Sequence, residues 1–256
     1  MFMNDLMKKY TLTVLIIAIG ITIISCATMK TTKILPSPPV GFAPMEVETP
    51  GKEKISDFAK QRMEMFAKED IARLQQGIVF LGDSMTNRFP VEIYFPKMLV
   101  INRGIGGDTM GCIRHYGVYD RLASTVYNLH PKKIIMMIGA NDLILSAGTP
   151  FETKLIQYEY LVWQIRKDLP DTELWCISVL PARLKFANKN NDIHKFNEYE
   201  RQRVKKYGAK WVDAYPQFLD ESGELKKELA ADSVHLSPAG YDLLVKIYKK
   251  QIFKMK

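Results

Sequence analysis

The sequence predicts an α/β protein built on a parallel β-sheet. Ile78–Leu81 form a continuous apolar run, which is typical of a strand that is covered on both faces. Segments with a helical pattern separate this run from similar short runs along the chain, and 256 residues suffice for one medium α/β domain plus a tail. Five strands are expected, at residues 77–81, 99–101, 133–138, 173–180 and 209–212.

Three helices are expected in the first two thirds of the chain. An apolar stripe predicts the first over residues 55–76, where it would pack on the sheet. The second is expected over residues 109–129, after a glycine-rich turn. Thr149-Pro-Phe-Glu152 has the layout of a capping box with proline at the first helical position, and it predicts a helix that ends near Leu169.

Two further helices are expected near the carboxyl end. Apolar residues at positions 193, 196, 204 and 207 mark the first of them, and Gly208 is expected to stop it. Ser237 and Pro238 are expected to open the final helix.

The composition is that of a globular protein with a basic surface. Hydrophobic residues make up 47% and charged residues 25% of the chain, and 36 basic against 28 acidic residues give a net charge of +8. This excess could favour an anionic membrane surface or anionic glycans, but we interpret it as a solvated lysine-rich surface. No basic run interleaved with aromatic residues and no nucleic-acid motif is present, so a nucleic-acid partner is not expected.

The amino-terminal segment has the pattern of an export signal. Lys8 and Lys9 precede an uncharged run over residues 11–24, which is shorter than the roughly 20 residues that a membrane-spanning helix needs. Its end, Ile23-Ile-Ser-Cys26, resembles the bacterial lipoprotein signal, in which the cysteine is lipidated. The alternative is an uncleaved membrane anchor.

The resemblance to a lipoprotein divides the chain into three parts. Residues 1–25 would be a lipoprotein signal peptide, residues 26–50 a proline-rich tether, and residues 51–256 the catalytic domain. The protein is then expected to be exported and lipid-anchored through Cys26 to a bacterial membrane, on the periplasmic or cell-surface side. Cys112 and Cys176 fit neither a zinc site nor a disulfide scaffold and are expected to be small buried residues.

The first candidate for chemistry is Ser84. The run 78–81 leads directly into Gly82-Asp83-Ser84, so the serine follows the carboxyl end of a predicted parallel strand, where open α/β sheets form their ligand crevices. We interpret Ser84 as a nucleophile. The alternative is that Asp83 or Ser84 only caps the next helix.

Two further strand ends carry groups suited to binding an anion. The turn Asn102-Arg-Gly-Ile-Gly-Gly-Asp-Thr109 is rich in glycine, so backbone N–H groups can approach a ligand there. Asn141 follows the third strand in Gly139-Ala-Asn-Asp142, and its amide could donate to an oxyanion. An ordinary Asx turn would explain Asn141 equally well.

The last candidate pair is Asp232 and His235, in the loop before the final helix. A carboxylate three residues before a histidine can fix the tautomer of the ring, which leaves the other nitrogen to accept a serine proton. Such a pair can also occur by chance on a protein surface, without any function. The remaining histidines, at positions 115, 130 and 194, are interpreted as ordinary surface or core residues.

Taken together, the blocks around Ser84, Asn102–Thr109, Asn141 and His235 resemble the SGNH (GDSL-like) hydrolase family over roughly residues 70–250. Met85 stands where the family name has leucine. The resemblance implies a flavodoxin-like three-layer α/β/α sandwich with a five-stranded parallel sheet.

The same resemblance implies a role for each site residue. Ser84 would be the nucleophile, His235 the general base and Asp232 the residue that orients it. The N–H groups of Ser84 and Gly107 and the side chain of Asn141 would form the oxyanion hole. No metal or organic cofactor is expected.

The expected substrate is a small-molecule or glycan ester. Lipid-anchored relatives and the acetylhydrolase-like branch suggest removal of an acetyl group from a carbohydrate. A lysophospholipase or thioesterase of the same fold is the alternative enzyme, and a catalytically inactive glycan-binding lipoprotein is the alternative of another class.

Overall fold

A computed structural model describes residues 34–45, 54–146 and 148–255. Five parallel strands form one sheet in the order β2-β1-β3-β4-β5, which confirms the predicted α/β class and the strand number. The strands are β1 (Ile78–Gly82), β2 (Val100–Gly104), β3 (Lys133–Met137), β4 (Glu173–Ile177) and β5 (Lys210–Val212).

The strand order decides where a ligand crevice can form. After β1 the chain places β2 on one side, and then returns to place β3 on the other side of β1. A crevice opens at such a reversal, beyond the carboxyl ends of the strands. Ser84 follows β1 and Asn141 follows β3, so both lie at this reversal.

Helices connect the strands and cover both faces of the sheet. The α-helices are α1 (Asp57–Ala67), α2 (Ile71–Leu74), α3 (Ser84–Asn87), α4 (Val91–Tyr94), α5 (Val118–Thr125), α6 (Ala140–Ile144), α7 (Phe151–Asp168), α8 (Asn190–Arg203), α9 (Tyr215–Phe218) and α10 (Pro238–Gln251). Short 3₁₀ helices span Tyr127–Leu129, Leu184–Lys189, Val204–Tyr207 and Lys227–Leu229.

Alternate residues of each strand enter two separate cores. In β1, Val79 and Leu81 pack with α5, α7 and α8, whereas Ile78 and Phe80 pack with α4 and α10. All five residues of β1 are buried, as a strand covered on both faces requires. The molecule therefore has the three layers expected of an α/β/α sandwich.

The first predicted helix is divided in two. A single helix over residues 55–76 was expected, but α1 ends at Ala67 and α2 begins at Ile71. The side chain of Asp70 accepts a hydrogen bond from the N–H of Ala72, and so caps a new helix inside the predicted one.

The prediction of a helix over residues 109–129 is wrong in its first half. Residues 109–117 form a loop that is closed by a bridge between Thr109 and Gly117, and α5 begins only at Val118. Gly111 and Cys112 have φ angles of +78° and +67°, which no right-handed helix accommodates. A Cβ on Gly117 would collide with the carbonyl oxygen of Thr109, so this close approach requires glycine.

Other boundaries differ by a few residues or agree. The helix expected after Thr149 begins at Phe151, so Pro150 lies just outside it instead of at its first position. The fourth strand ends at Ile177. Gly208 has φ +74° and stops the preceding helical segment, and Ser237 Oγ accepts from the N–H of Gly240 as an N-cap, both as predicted.

Part of the segment expected to be a tether packs on the domain. The indole N–H of Trp163 donates to the carbonyl oxygen of Pro36 at 3.0 Å, and the ring of Phe42 contacts that of Tyr160. Met45 N–H donates to the Cys112 carbonyl oxygen at 2.6 Å. Residues 35–45 are therefore held against the domain.

The predicted signal peptide, residues 1–25, and the predicted lipidation site Cys26 lie outside the described residues. Within the described ranges, no helix has the length and apolar character needed to cross a bilayer. Cys112 and Cys176 are both buried, as expected.

Candidate active site

Four loops at the carboxyl edge of the sheet meet around one cavity of about 510 Å³. Ser84 comes from the end of β1, Gly107 from the loop after β2, and Asn141 from the end of β3. His235 comes from the loop before α10. Residues that the sequence singled out separately therefore line the same space.

The side chains of Ser84, His235 and Asp232 are connected by hydrogen bonds, with His235 in the middle. Ser84 Oγ lies 2.9 Å from Nε2 of His235, although the two residues are 151 positions apart in the chain. Nδ1 of the same ring lies 2.6 Å from Oδ2 of Asp232. This is the geometry that lets a ring nitrogen accept the serine proton while a carboxylate holds the ring.

The carboxylate of Asp232 is itself firmly oriented. Its Oδ1 accepts hydrogen bonds from the N–H groups of Val234 and His235, each at 2.9 Å. Burial alone would raise the pKa of Asp232, but these two donors and the imidazole outweigh it and lower the pKa to about 2. Asp232 is therefore ionised at neutral pH and can accept a hydrogen bond from the Nδ1–H of His235.

The short helix α3 presents the hydroxyl of Ser84. Asp83 caps this helix, because its Oδ1 accepts from the N–H of Met85 at 2.9 Å. The capping role that the sequence left open thus belongs to Asp83, and the hydroxyl of Ser84 pairs with His235 instead.

Two side chains from other elements hold α3 and its following turn in place. The amide of Asn102 donates to the carbonyl oxygens of Thr86 and Phe89, at 2.7 and 2.9 Å. Tyr241, in α10, donates to the carbonyl oxygen of Met85 at 2.8 Å. Sequence reasoning assigned neither role. Asn102 was visible in its glycine-rich block, whereas Tyr241 gave no local signal.

Asn141 reaches the neighbouring loop through its side chain. Its Nδ2 donates to the carbonyl oxygen of Asp108 at 2.7 Å, next to Gly107. An amide NH₂ has two protons, so one remains for an oxyanion. Gly107 has φ +83° and an added Cβ would meet nothing within 4 Å, so the backbone faces open space on that side.

A buried ion pair connects the loop after β2 to the end of β2. Arg121 is fully buried, and its Nε donates to Oδ2 of Asp108 at 2.7 Å. Nη2 of Arg121 also donates to the carbonyl oxygen of Arg103 at 2.9 Å. The arginine therefore fixes the Gly107–Asp108 turn relative to β2.

Three buried carboxyl groups, those of Asp83, Asp108 and Asp142, belong to residues that line the cavity or directly follow lining residues in the chain, and sequence reasoning did not identify this cluster. Burial raises the pKa of Asp83 and that of Asp142 each to about 7. Burial also raises the pKa of Asp108 to about 6, against the lowering effect of Arg121. Asp142 accepts from the N–H of Met110 at 3.0 Å, so it too supports the loop after β2.

The cavity wall is mostly apolar. Its polar residues are Asp83, Ser84, Arg88, Asn141 and His235. The remaining lining residues are Phe58, Met85, Gly106, Gly107, Met137, Ile138, Ala140, Ile144, Leu145, Val179, Leu180, Pro181, Ala182, Phe186 and Val234. The segment after β4 supplies residues 179–182 and 186.

The other histidines, which could in principle bind a metal, are not part of this cavity. The histidines at positions 115, 130 and 194 do not line it. In the described part of the chain, no group of three or more histidine, cysteine, aspartate or glutamate side chains could hold a metal ion.

Comparison with protein families gives one match that covers most of the domain. The model of the GDSL-like Lipase/Acylhydrolase family matches residues 80–243, which contain every cavity-lining residue except Phe58. No curated protein matches the sequence at a significant level.

Solved structures share the fold. A Streptococcus pneumonia protein assigned as a platelet activating factor is 27% identical, with TM-score 0.67, over 76% of this chain and 92% of that chain. A GDSL-like lipase from Bacteroides thetaiotaomicron is 22% identical, with TM-score 0.63, over 75% and 97% of the respective chains. A catalytic mutant of an acetylxylan esterase from Geobacillus stearothermophilus is 18% identical, with TM-score 0.55, over 70% and 94%.

The substitution Asp83→Asn should reduce the loss of stability at rising pH. Burial raises the pKa of Asp83 from its ordinary 3.8 to about 7, so the folded protein binds this proton more tightly than the unfolded chain does. Its stabilising effect is complete below about pH 4 and is lost as the pH rises to about 7. Urea unfolding at pH 5 and pH 8 should show a smaller drop in the free energy of unfolding for Asp83→Asn than for the wild type.

A suitable control is Asp57→Asn, since Asp57 is an exposed residue of α1. That variant should show the wild-type drop. An equal drop in the wild type and in Asp83→Asn would contradict the expectation.

Proposed function

Since this chain belongs to the GDSL-like lipase/acylhydrolase family, a family of ester hydrolases, we propose that it hydrolyses carboxylic esters with Ser84 as the nucleophile. His235 is the general base and Asp232 is the residue that orients it. The observation that supports this most directly is the 2.9 Å contact between Ser84 Oγ and His235 Nε2.

The reaction proceeds in two halves. Nε2 of His235 accepts the proton of Ser84, and Oγ attacks the ester carbonyl carbon. The negative charge that develops on the carbonyl oxygen is stabilised by the N–H groups of Ser84 and Gly107 and by the amide of Asn141. His235 then gives its proton to the leaving alcohol, and water hydrolyses the acyl-enzyme by the same route.

Substitutions of Ser84 and of Asp232 should separate the roles of these two residues. Ser84→Ala should abolish ester hydrolysis because no acyl-enzyme can form. Asp232→Asn should lower kcat by roughly 10²–10⁴, because an amide neither fixes the productive tautomer nor stabilises the imidazolium. Hydrolysis of p-nitrophenyl acetate by both variants and the wild type measures these effects, with circular dichroism as the check on folding.

Wild-type rates from folded Ser84→Ala would rule out the proposed nucleophile. A wild-type protein that hydrolyses no ester but retains acetylated glycans would instead support the alternative of a glycan-binding lipoprotein.

For the substrate, a first candidate is an acetyl group on a carbohydrate. This agrees with the acetylesterase expectation from sequence, and an acetylxylan esterase is among the proteins with the same fold. An acetyl group is compact and would leave most of the 510 Å³ cavity to the rest of the substrate.

A second candidate, a lysophospholipase or thioesterase, is favoured by the cavity wall. Side chains such as Ile144, Leu145 and Val179 offer apolar surface beside Ser84. Burial of each methylene of an acyl chain on such a surface contributes about 0.8 kcal/mol. Apart from Arg88 and Asp83, the polar lining residues all have proposed catalytic roles, so few remain to bind sugar hydroxyls.

A series of p-nitrophenyl esters from acetyl to decanoyl discriminates between the two candidates. If the apolar wall binds the acyl chain, kcat/KM should rise roughly tenfold for each added pair of methylenes until the cavity is filled. If the acyl site is compact, p-nitrophenyl acetate should be the best substrate and kcat/KM should fall with chain length. Ser84→Ala corrects for non-enzymatic hydrolysis.

We also propose that the protein is exported and anchored to a bacterial membrane by lipid on Cys26. The motivation is the basic start, the short apolar run and the terminal Ile23-Ile-Ser-Cys26. In a bacterial host, wild-type protein should incorporate labelled palmitate and fractionate with membranes, and Cys26→Ser should not be labelled. Equal labelling of both proteins would exclude Cys26 as the attachment site.

A further inference from the structure

Arg88 is a polar residue of the cavity for which the proposed reaction has no use. It directly follows α3, the helix that begins at Ser84, and its side chain lines the cavity. Among the described residues that line this space, it carries the one permanent positive charge. An ionised guanidinium at the wall of an apolar cavity is suited to recognise an anion on a ligand.

The guanidinium is not fully engaged by the protein. Its Nη1 lies 3.8 Å from Oδ2 of Asp232, and the two side chains are 53% and 48% exposed. The oxygens of Asp232 already accept closer contacts, at 2.6 and 2.9 Å, from His235 and Val234. An exposed ion pair at such a distance contributes little, and a guanidinium has five N–H donors.

The position of Arg88 also indicates which part of an ester it would meet. In the proposed reaction His235 gives its proton to the leaving oxygen, so the alcohol must lie on the His235 side of Ser84. Arg88 lies on this side, because its Nη1 is 3.8 Å from the carboxylate of Asp232, which contacts the far nitrogen of the His235 ring. The oxyanion donors Gly107 and Asn141 come from the loops after β2 and β3.

We propose that Arg88 binds an anionic group, a carboxylate or a phosphate, on the alcohol part of the ester substrate. This inference depends on the proposed ester hydrolysis and narrows its substrate class. A planar guanidinium binds either anion through two parallel hydrogen bonds, which a lysine cannot reproduce. The substrate would then be an acidic lipid ester or an ester of an acidic sugar.

Matched pairs of substrates test the inference. One pair is hexanoyl glycerol phosphate and hexanoyl glycerol, and the other is acetylated glucuronic acid and acetylated glucose. The wild type should prefer the anionic member of at least one pair, and the pair that shows the preference identifies whether phosphate or carboxylate is recognised. The preference should weaken as salt is raised from about 0.05 to about 0.5 M, since screening acts on a half-exposed charge.

Arg88→Gln should lower the anionic-to-neutral ratio of kcat/KM by roughly tenfold or more, mainly through KM, because charge-assisted hydrogen bonds are lost. Arg88→Lys should keep part of the preference, since the charge remains. A matched control is Arg201→Gln. Arg201 is 46% exposed and pairs with Glu198 at 2.8 Å, but it does not line the cavity. This control makes the same change in net charge and should keep the wild-type ratio.

Three results would overturn the inference. The first is that the wild type shows no preference in either pair, and the second is that Arg88→Gln and the wild type have the same ratio. An equal loss on both members of a pair would mean that Arg88 acts through Asp232 instead of on the substrate. Failure of the proposed function looks different, because the wild type would then hydrolyse none of the four esters, or Ser84→Ala would hydrolyse them as well.

Discussion

The hydroxyl of Ser84 lies 2.9 Å from Nε2 of His235, and much of the surrounding structure keeps these two atoms at that distance. The serine stands at the end of the first strand, and the histidine stands in the loop before the last helix. No local sequence pattern can hold them together. Their approach depends on α10 packing against the face of the sheet to which β1 contributes Ile78 and Phe80.

Each partner is held from a different direction. On the serine side, Asp83 caps α3 from within, and Asn102 and Tyr241 bind the backbone of α3 and its following turn from β2 and α10. On the histidine side, Asp232 accepts two backbone N–H groups and the ring. Such preorganised groups are suited to catalysis, because they need little reorganisation when charge develops during a reaction.

The buried polar groups under the site have a related effect. Asp108, Asp142 and Arg121 connect the loop after β2 to β2 and β3, so that the Gly107 turn keeps its place beside Asn141. Burying carboxyl groups is unfavourable when they are charged, and their pKa values rise accordingly. Asp108, Asp142 and Arg121 thus hold the loops that form the site without lining the cavity themselves.

The linear sequence was enough to predict the α/β class, the five strands and the residues to consider for chemistry. Apolar runs such as Ile78–Leu81 and turn residues such as Gly208 act through their immediate neighbours, so a linear pattern reveals them. The blocks around Ser84, Asn141 and His235 were visible for the same reason, because each lies at a strand end or before a helix.

The surroundings of those blocks became known only from the three-dimensional structure. The loop over residues 109–117 replaces a predicted helix because Gly117 must approach the backbone of Thr109. Three features join segments that are far apart in the chain. They are the apolar cavity wall, the position of Arg88 beside Asp232, and the packing of residues 35–45 on the domain. Such contacts depend on how helices pack on the two faces of the sheet, and the local pattern of residues does not encode that arrangement.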